Sequence, residues 1–253
     1  MLKLPSGPWK VAICHISHMS ALLVHREGFR LLVDPFFARG FWWESHWERQ
    51  VEAPAFEIEE LDRCDAILVS HDHPDHYDEW AVDYLIRQAG AKLLCPDIVK
   101  TDALTRRNRE GEVISMNAWQ EEDIGAFRIT ALPNKGSEDK PFLDRISFLI
   151  EVEDLGLFHS GDSNGASPSW KRHNIESVDL AMTISFFLED FLQALKPRKL
   201  LLLDSGRFEP GRFMINADSE RLRLELQPRY PETEILVPAH GEWVDLPTKT
   251  THS

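Results

Sequence analysis

Apolar and polar positions change period several times along the 253 residues, and each change marks an element. Three short apolar runs, at 11–16, 21–25 and 29–33, predict strands, with Arg26-Glu27-Gly28 turning between the last two. Asp34-Pro35 ends the third, because proline offers no ladder N–H and restricts the residue before it. From Pro54 strands and helices alternate. Residues 66–70 read as a buried strand, and 78–88 as a helix with Trp80, Tyr84 and Leu85 at helical spacing, stopped by Gly90. A strand at 92–95 and a short helix at 98–104 follow, then strands at 112–116, 127–132, 145–152, 155–160 and 178–184. Helices at 186–195 and 217–226 flank a fully apolar strand at 200–203, and 234–237 reads as the last strand. Pro247 onward reads as a frayed tail. With no low-complexity linker or repeat, the simplest account is one domain over 1–253, two mixed sheets with outer helices.

One stretch departs from this regularity. Residues 36–51 hold Phe36, Phe37, Phe41, Trp42, Trp43 and Trp47 among charged residues. One reading is a short helix packing its aromatic side on the sheet. Others are a lid over a pocket, or a self-association surface that would make the protein a homo-oligomer through residues 36–47.

Composition narrows the function. A formal net charge of −14 argues against a nucleic-acid groove or an anionic membrane as the main partner. A small anionic substrate in a local basic pocket stays compatible with it. No apolar run approaches the ~20 residues that span a bilayer, and no signal-like N-terminus is present. Cys14, Cys64 and Cys95 have no CxxC spacing and read as buried thiols, so a cytoplasmic address is expected.

The chemistry concentrates after the strand at 66–70, in 71-HDHPDH-76. Imidazoles at 71, 73 and 76 with carboxylates between them suit zinc, manganese or iron, and Pro74 stiffens the loop. Two further strands end in the same manner. The segment 157-LFHSGDS-163 presents Asp162 after a glycine turn, and 236-LVPAHG-241 presents His240. Each alone is weak; together they gain weight, because a sheet brings strand ends to one edge.

The set 71-HDHPDH-76, 158-FHSGDS-163 and 237-VPAHGE-242 resembles the metallo-β-lactamase superfamily, and 15-HISHMSALLV-24 with 31-LLVDPFF-37 is similar to its ascorbate-6-phosphate lactonase-like branch. The resemblance implies an αββα sandwich of two mixed β-sheets with outer helices and a metal site at one sheet edge. It assigns His71 and His73 to a first ion, Asp75, His76 and His240 to a second, and Asp162 to a bridge. It also calls for a histidine near residue 132, yet the chain has none between 77 and 158. Asn134, Glu138 or Asp139 are the oxygen donors near that position; alternatively the first site is weak or empty, leaving one divalent ion instead of two. Fewer imidazoles favour manganese or iron over zinc.

The implied activity is that of a metal-dependent hydrolase, with metal-bound hydroxide attacking an ester, lactone or phosphodiester of a small substrate. Asp75 would accept the proton, and His159 and His18 would orient ligands or substrate. Lys135, Arg207 and Arg212 are the candidate substrate grips, with Lys140 and Arg145 nearby. Two alternatives stand beside this: an iron-dependent, oxygen-activating enzyme, and a degenerate metal-binding or scaffold protein.

Overall fold

Apolar residues in the strands point alternately into two cores, which is why the strands read as nearly continuous apolar runs. In β1 (Trp9–Ser17), Val11 and Ile13 face one core while Cys14 and Ile16 face another. The same division holds in β2 (Ser20–His25), β3 (Arg30–Val33) and β6 (Ala66–Leu68), where Leu23, Val33 and Leu68 face one way and Leu22, Leu32 and Ile67 the other. The computed structural model describes residues 2–43, 45–106, 110–135, 144–203, 208–209 and 218–247.

These strands join β7 (Lys92–Cys95), β8 (Val113–Ser115) and the C-terminal β17 (Trp243–Pro247) in a seven-stranded sheet of order β17-β1-β2-β3-β6-β7-β8. The second sheet has order β16-β14-β13-β12-β11-β10-β9. Its strands are β9 (Glu121–Ile124), β10 (Phe127–Pro133), β11 (Ile146–Val152), β12 (Leu155–His159), β13 (Leu180–Thr183), β14 (Lys199–Leu202) and β16 (Glu234–Leu236). Both sheets mix parallel and antiparallel pairs. Their inner faces share one apolar core. The outer face of the first sheet is covered by α1 (Glu79–Ala89) and α2 (Asp97–Thr105), and that of the second by α3 (Pro168–Arg172), α4 (Leu188–Leu195) and α5 (Ser219–Leu226). The fold is therefore the expected αββα sandwich.

Residues 36–51, for which a short helix is one reading of the sequence, instead form a hairpin of β4 (Gly40–Trp43) and β5 (His46–Gln50), extended by β15 (Phe208–Glu209) into a small third sheet. Gly40 explains the strand choice: a Cβ there would meet the Glu48 carbonyl at 2.3 Å, so only glycine permits this approach. Cross-strand pairing of Trp42 with Trp47 places both indoles on the exposed face, while Phe36, Phe41 and Phe208 are buried together. The last strand is β17, not 234–237; it pairs antiparallel with β1 and closes the sheet edge. The tail expected from Pro247 lies outside the described residues beyond 247.

Candidate metal centre

Local structure delivers the ligands to one edge. The loop after β6 turns through Tyr77 and His76 N–H groups donating to the His73 carbonyl, then enters α1 at Asp78, whose side chain caps the helix by accepting from Ala81 N–H. The second Asp78 oxygen accepts from Phe37 and Ala38 N–H at 3.0 Å, tying the loop after β3 to the same turn. On the opposite sheet, Gly161 turns the loop after β12 with φ +49°, and Ile146 N–H donates to the Ser70 carbonyl across the sheets. His18 enters from the β1–β2 turn with φ +41°.

Among the described residues, two groups of three carry ligand atoms mutually within 4.8 Å: His18, Asp75 and His76, and His71, His73 and Asp162. Asp162 spans both. Its Oδ1 lies 3.1 Å from His76 Nε2, and its Oδ2 lies 3.4 Å from His71 Nε2 and 3.8 Å from His73 Nδ1. Asp75 Oδ2 is 3.1 Å from His18 Nε2 and 3.6 Å from His76 Nε2.

Buried Asp34, read from the sequence only as a strand stop, organises the rings from behind. Its Oδ2 accepts from His76 Nδ1 at 2.8 Å and from Ser70 Oγ at 2.7 Å. Ser70 Oγ thus uses its one O–H on Asp34, and accepts at 2.9 Å from His71 Nδ1. In their neutral forms both rings therefore keep their proton on Nδ1 towards Asp34 and turn Nε2 towards Asp75 and Asp162. His71 Nε2, His76 Nε2 and Asp75 Oδ1 are buried without a hydrogen-bond partner among the described residues. Such orphaned atoms cost about 1–3 kcal/mol each when nothing binds them. Their convergence fits a divalent cation with nitrogen and oxygen ligands.

The electrostatics agree. Burial works against the charge on Asp162, but His76 and His71 hold its pKa well below the usual carboxylate value. Asp75 and Asp34 are likewise buried, and surrounding imidazoles keep both lowered. Burial would depress His76, yet Asp162, Asp75 and Asp34 raise it well above 6.5. His71 is lowered by burial and by His76, and His73 falls to about 4 through burial, His71 and Arg145.

His71, His73, Asp75, His76 and Asp162 are brought together; other candidates are placed differently. His240 belongs to neither group, and His18 stands beside Asp75 instead. The His240 Nδ1 donates to the Ala53 carbonyl at 2.7 Å, and its ring packs edge-on against His15, 4.9 Å between centroids. His159, expected to be catalytic, is fully buried: Nδ1 accepts from Gly161 N–H at 3.1 Å and Nε2 faces the Met19 carbonyl at 3.3 Å. With both nitrogens on backbone it ties the Asp162 loop to the β1–β2 turn. Lys135 is ion-paired with Asp190 at 3.0 Å, and Asn134 accepts from Ser147 Oγ at 2.8 Å. Arg207, Arg212, Glu138, Asp139 and Lys140 lie outside the described residues. Arg145, in contrast, reaches the centre, 2.9 Å from His73 Nε2. Trp43 walls the site, its ring 5.3 Å from that of His73. A cleft of about 670 Å³ near the start of β14 and β16 contains none of the candidate ligands. No described helix is long and apolar enough to cross a membrane.

A model of the family described as the beta-lactamase superfamily domain matches residues 29–222. A metal-dependent hydrolase of Nitratidesulfovibrio vulgaris is 25% identical over 233 residues, 87% of this chain and 89% of that protein. The mitochondrial N-acyl-phosphatidylethanolamine-hydrolyzing phospholipase D of Saccharomyces cerevisiae is 26% identical over 147 residues, 54% of this chain but 31% of that longer protein. Among solved structures, the metallo hydrolase Igni18 of Ignicoccus hospitalis superposes with a TM-score of 0.68 at 19% identity, covering 94% of this chain and 99% of that one. The diiron β-hydroxylase CmlA of Streptomyces venezuelae superposes with a TM-score of 0.65 at 16% identity, over 96% of this chain and 55% of that one.

Proposed function

Because the chain belongs to the β-lactamase superfamily, we propose that it is a metal-dependent hydrolase of an ester, lactone or phosphodiester in a small anionic substrate. The observation that carries this reading is the pair of ring nitrogens, Nε2 of His71 and of His76, that the contacts to Ser70 and Asp34 turn, buried, towards Asp75 and Asp162. Residues with that arrangement would hold a divalent ion through His76, Asp75, Asp162 and His18, with His71 and His73 alongside. A bound ion supplies Lewis acidity and lowers the pKa of a coordinated water towards ~7.

The chain's own groups do the rest. Asp34 fixes the orientation of His76 and, through Ser70, of His71. Asp75 stays ionised, and its Oδ1 is the acceptor that orients a water molecule and takes its proton. Trp43 packs edge-on against His73 at one side of the cluster. Arg145, with its side chain 43% exposed, offers a cationic group at the rim of a chain that is otherwise strongly acidic. That local cation supports an anionic substrate.

The redox alternative draws on a fold likeness at 16% identity, which speaks to the fold and not the activity. Ring nitrogens oriented in the interior towards two carboxylates favour a working ion site over a degenerate scaffold. The test is hydrolysis of nitrophenyl esters, a lactone panel and bis-nitrophenyl phosphate by chelator-treated protein. Zinc or manganese should restore turnover, and His76→Ala or Asp162→Ala should lose metal and turnover together. Undiminished turnover in the metal-free double variant contradicts the proposal.

A further inference from the structure

Arg145 occupies a place that the donor geometry otherwise marks for an ion. Its Nη2 donates to His73 Nε2 at 2.9 Å, and its Nη1 lies 3.9 Å from Asp162 Oδ2. It thus touches two of the three residues in the His71–His73–Asp162 group. A guanidinium can only donate, so His73 Nε2 is the acceptor in this contact. A neutral imidazole has one ring proton, which then sits on Nδ1, the nitrogen directed at Asp162. Metal ligation through Nδ1 requires the opposite arrangement, with the proton on Nε2, where it would oppose the guanidinium. The contact with Arg145 and ligation by His73 Nδ1 are therefore mutually exclusive.

The contrast with the other two rings is direct. Ser70 and Asp34 hold Nδ1 of His71 and His76 and turn Nε2 inward; Arg145 holds Nε2 of His73 and leaves its proton on the inward Nδ1. The chain has no histidine between 77 and 158 to strengthen this side, and Asn134 has its side-chain oxygen on Ser147. A permanently charged group in this position also repels a second divalent ion.

We propose that Arg145 takes the place of one ion of a two-ion centre, so that this chain holds a single tightly bound divalent ion on the His18–Asp75–His76–Asp162 side, with the guanidinium as the fixed second cation. This rests on the metal-dependent reading above.

The experiment is a titration of chelator-treated protein with zinc and, separately, manganese, by calorimetry and elemental analysis, on wild type and Arg145→Gln. Wild type is expected to take up one tight equivalent. Arg145→Gln is expected to bind a second equivalent roughly 10–100-fold more tightly than wild type does, the range by which groups behind a ligand change metal affinity. Arg128→Gln, which removes a remote surface ion pair with Asp123, should leave the count at one. An independent readout is the nitrogen chemical shifts of His73 in the one-ion protein: a protonated Nδ1 and an acceptor Nε2 support the assignment, and the reverse overturns it. Two tight ions in wild type, or one in both proteins, also overturn it while leaving the hydrolase proposal standing. No bound ion in either protein removes the premise and the inference together.

Discussion

Asp34 Oδ2 lies 2.8 Å from Nδ1 of His76, and both side chains are fully buried. This contact turns an imidazole into a directed ligand. It fixes the ring and places its lone pair among Asp75 and Asp162, and the same carboxylate reaches His71 through Ser70. Replacing Asp34 by Asn keeps the shape but removes the charge that fixes the ring proton. Zinc affinity measured by competition with a chelator is expected to fall about 10–100-fold. Unaltered affinity would show that Asp34 serves folding alone.

The pH dependence follows from the same cluster. With no ion bound, the carboxylates around His76 outweigh burial and raise its pKa well above 6.5. A raised folded pKa stabilises the fold below the unfolded value, and that contribution disappears as pH rises through the folded value. Asp162 behaves oppositely: its depressed pKa stabilises the fold above ~3.8, and the contribution is lost as pH falls through the folded value. An ion needs His76 neutral and so must displace its proton. Metal affinity should therefore keep rising as pH climbs above 6.5, with about one proton released in calorimetry across buffers of different ionisation enthalpy. A flat affinity with no proton release contradicts this.

Gly161 is the hinge that presents Asp162. Its φ is +49°, and a Cβ there would lie 2.6 Å from Ser70 Cβ and 2.7 Å from Ser70 Oγ. Ser70 cannot retreat without releasing Asp34 and His71. Gly161→Ala is expected to destabilise the protein by more than the ~1–2 kcal/mol of left-handed strain alone, measured by denaturant unfolding, and to weaken metal binding. Gly90→Ala has a similar φ of +66° but no neighbour within 4 Å, so its effect should stay near the strain value.

The strand ends were readable because apolar periodicity locates strands and a parallel sheet gathers their carboxyl ends. That logic anticipated His71, His73, Asp75, His76 and Asp162. It missed Asp34, whose proline neighbour announces a turn and conceals a buried carboxylate with φ +41°. It also missed the strand pairing at 36–51, since aromatic residues satisfy helix and strand patterns alike, and tight packing at Gly40 decides between them. The short charged strand β9 runs along a sheet edge, where one face stays solvated and no apolar alternation is needed.

The different placements of His18 and His240 yield another prediction. His18 touches Asp75, whereas His240 is anchored to Ala53 and packs edge-on against His15. His18→Ala should weaken metal binding more than His240→Ala does, by at least about tenfold, in parallel zinc titrations. The reverse ranking would return His240 to the place that the sequence assigned it.

The most direct measurement is anomalous scattering from crystals of the metal-loaded protein, recorded at the absorption edge of the ion. The account predicts a strong peak within bonding distance of His76 Nε2 and Asp162, with Asp34 still behind His76. A loaded protein that shows no peak in this cluster, or one only elsewhere on the molecule, contradicts it.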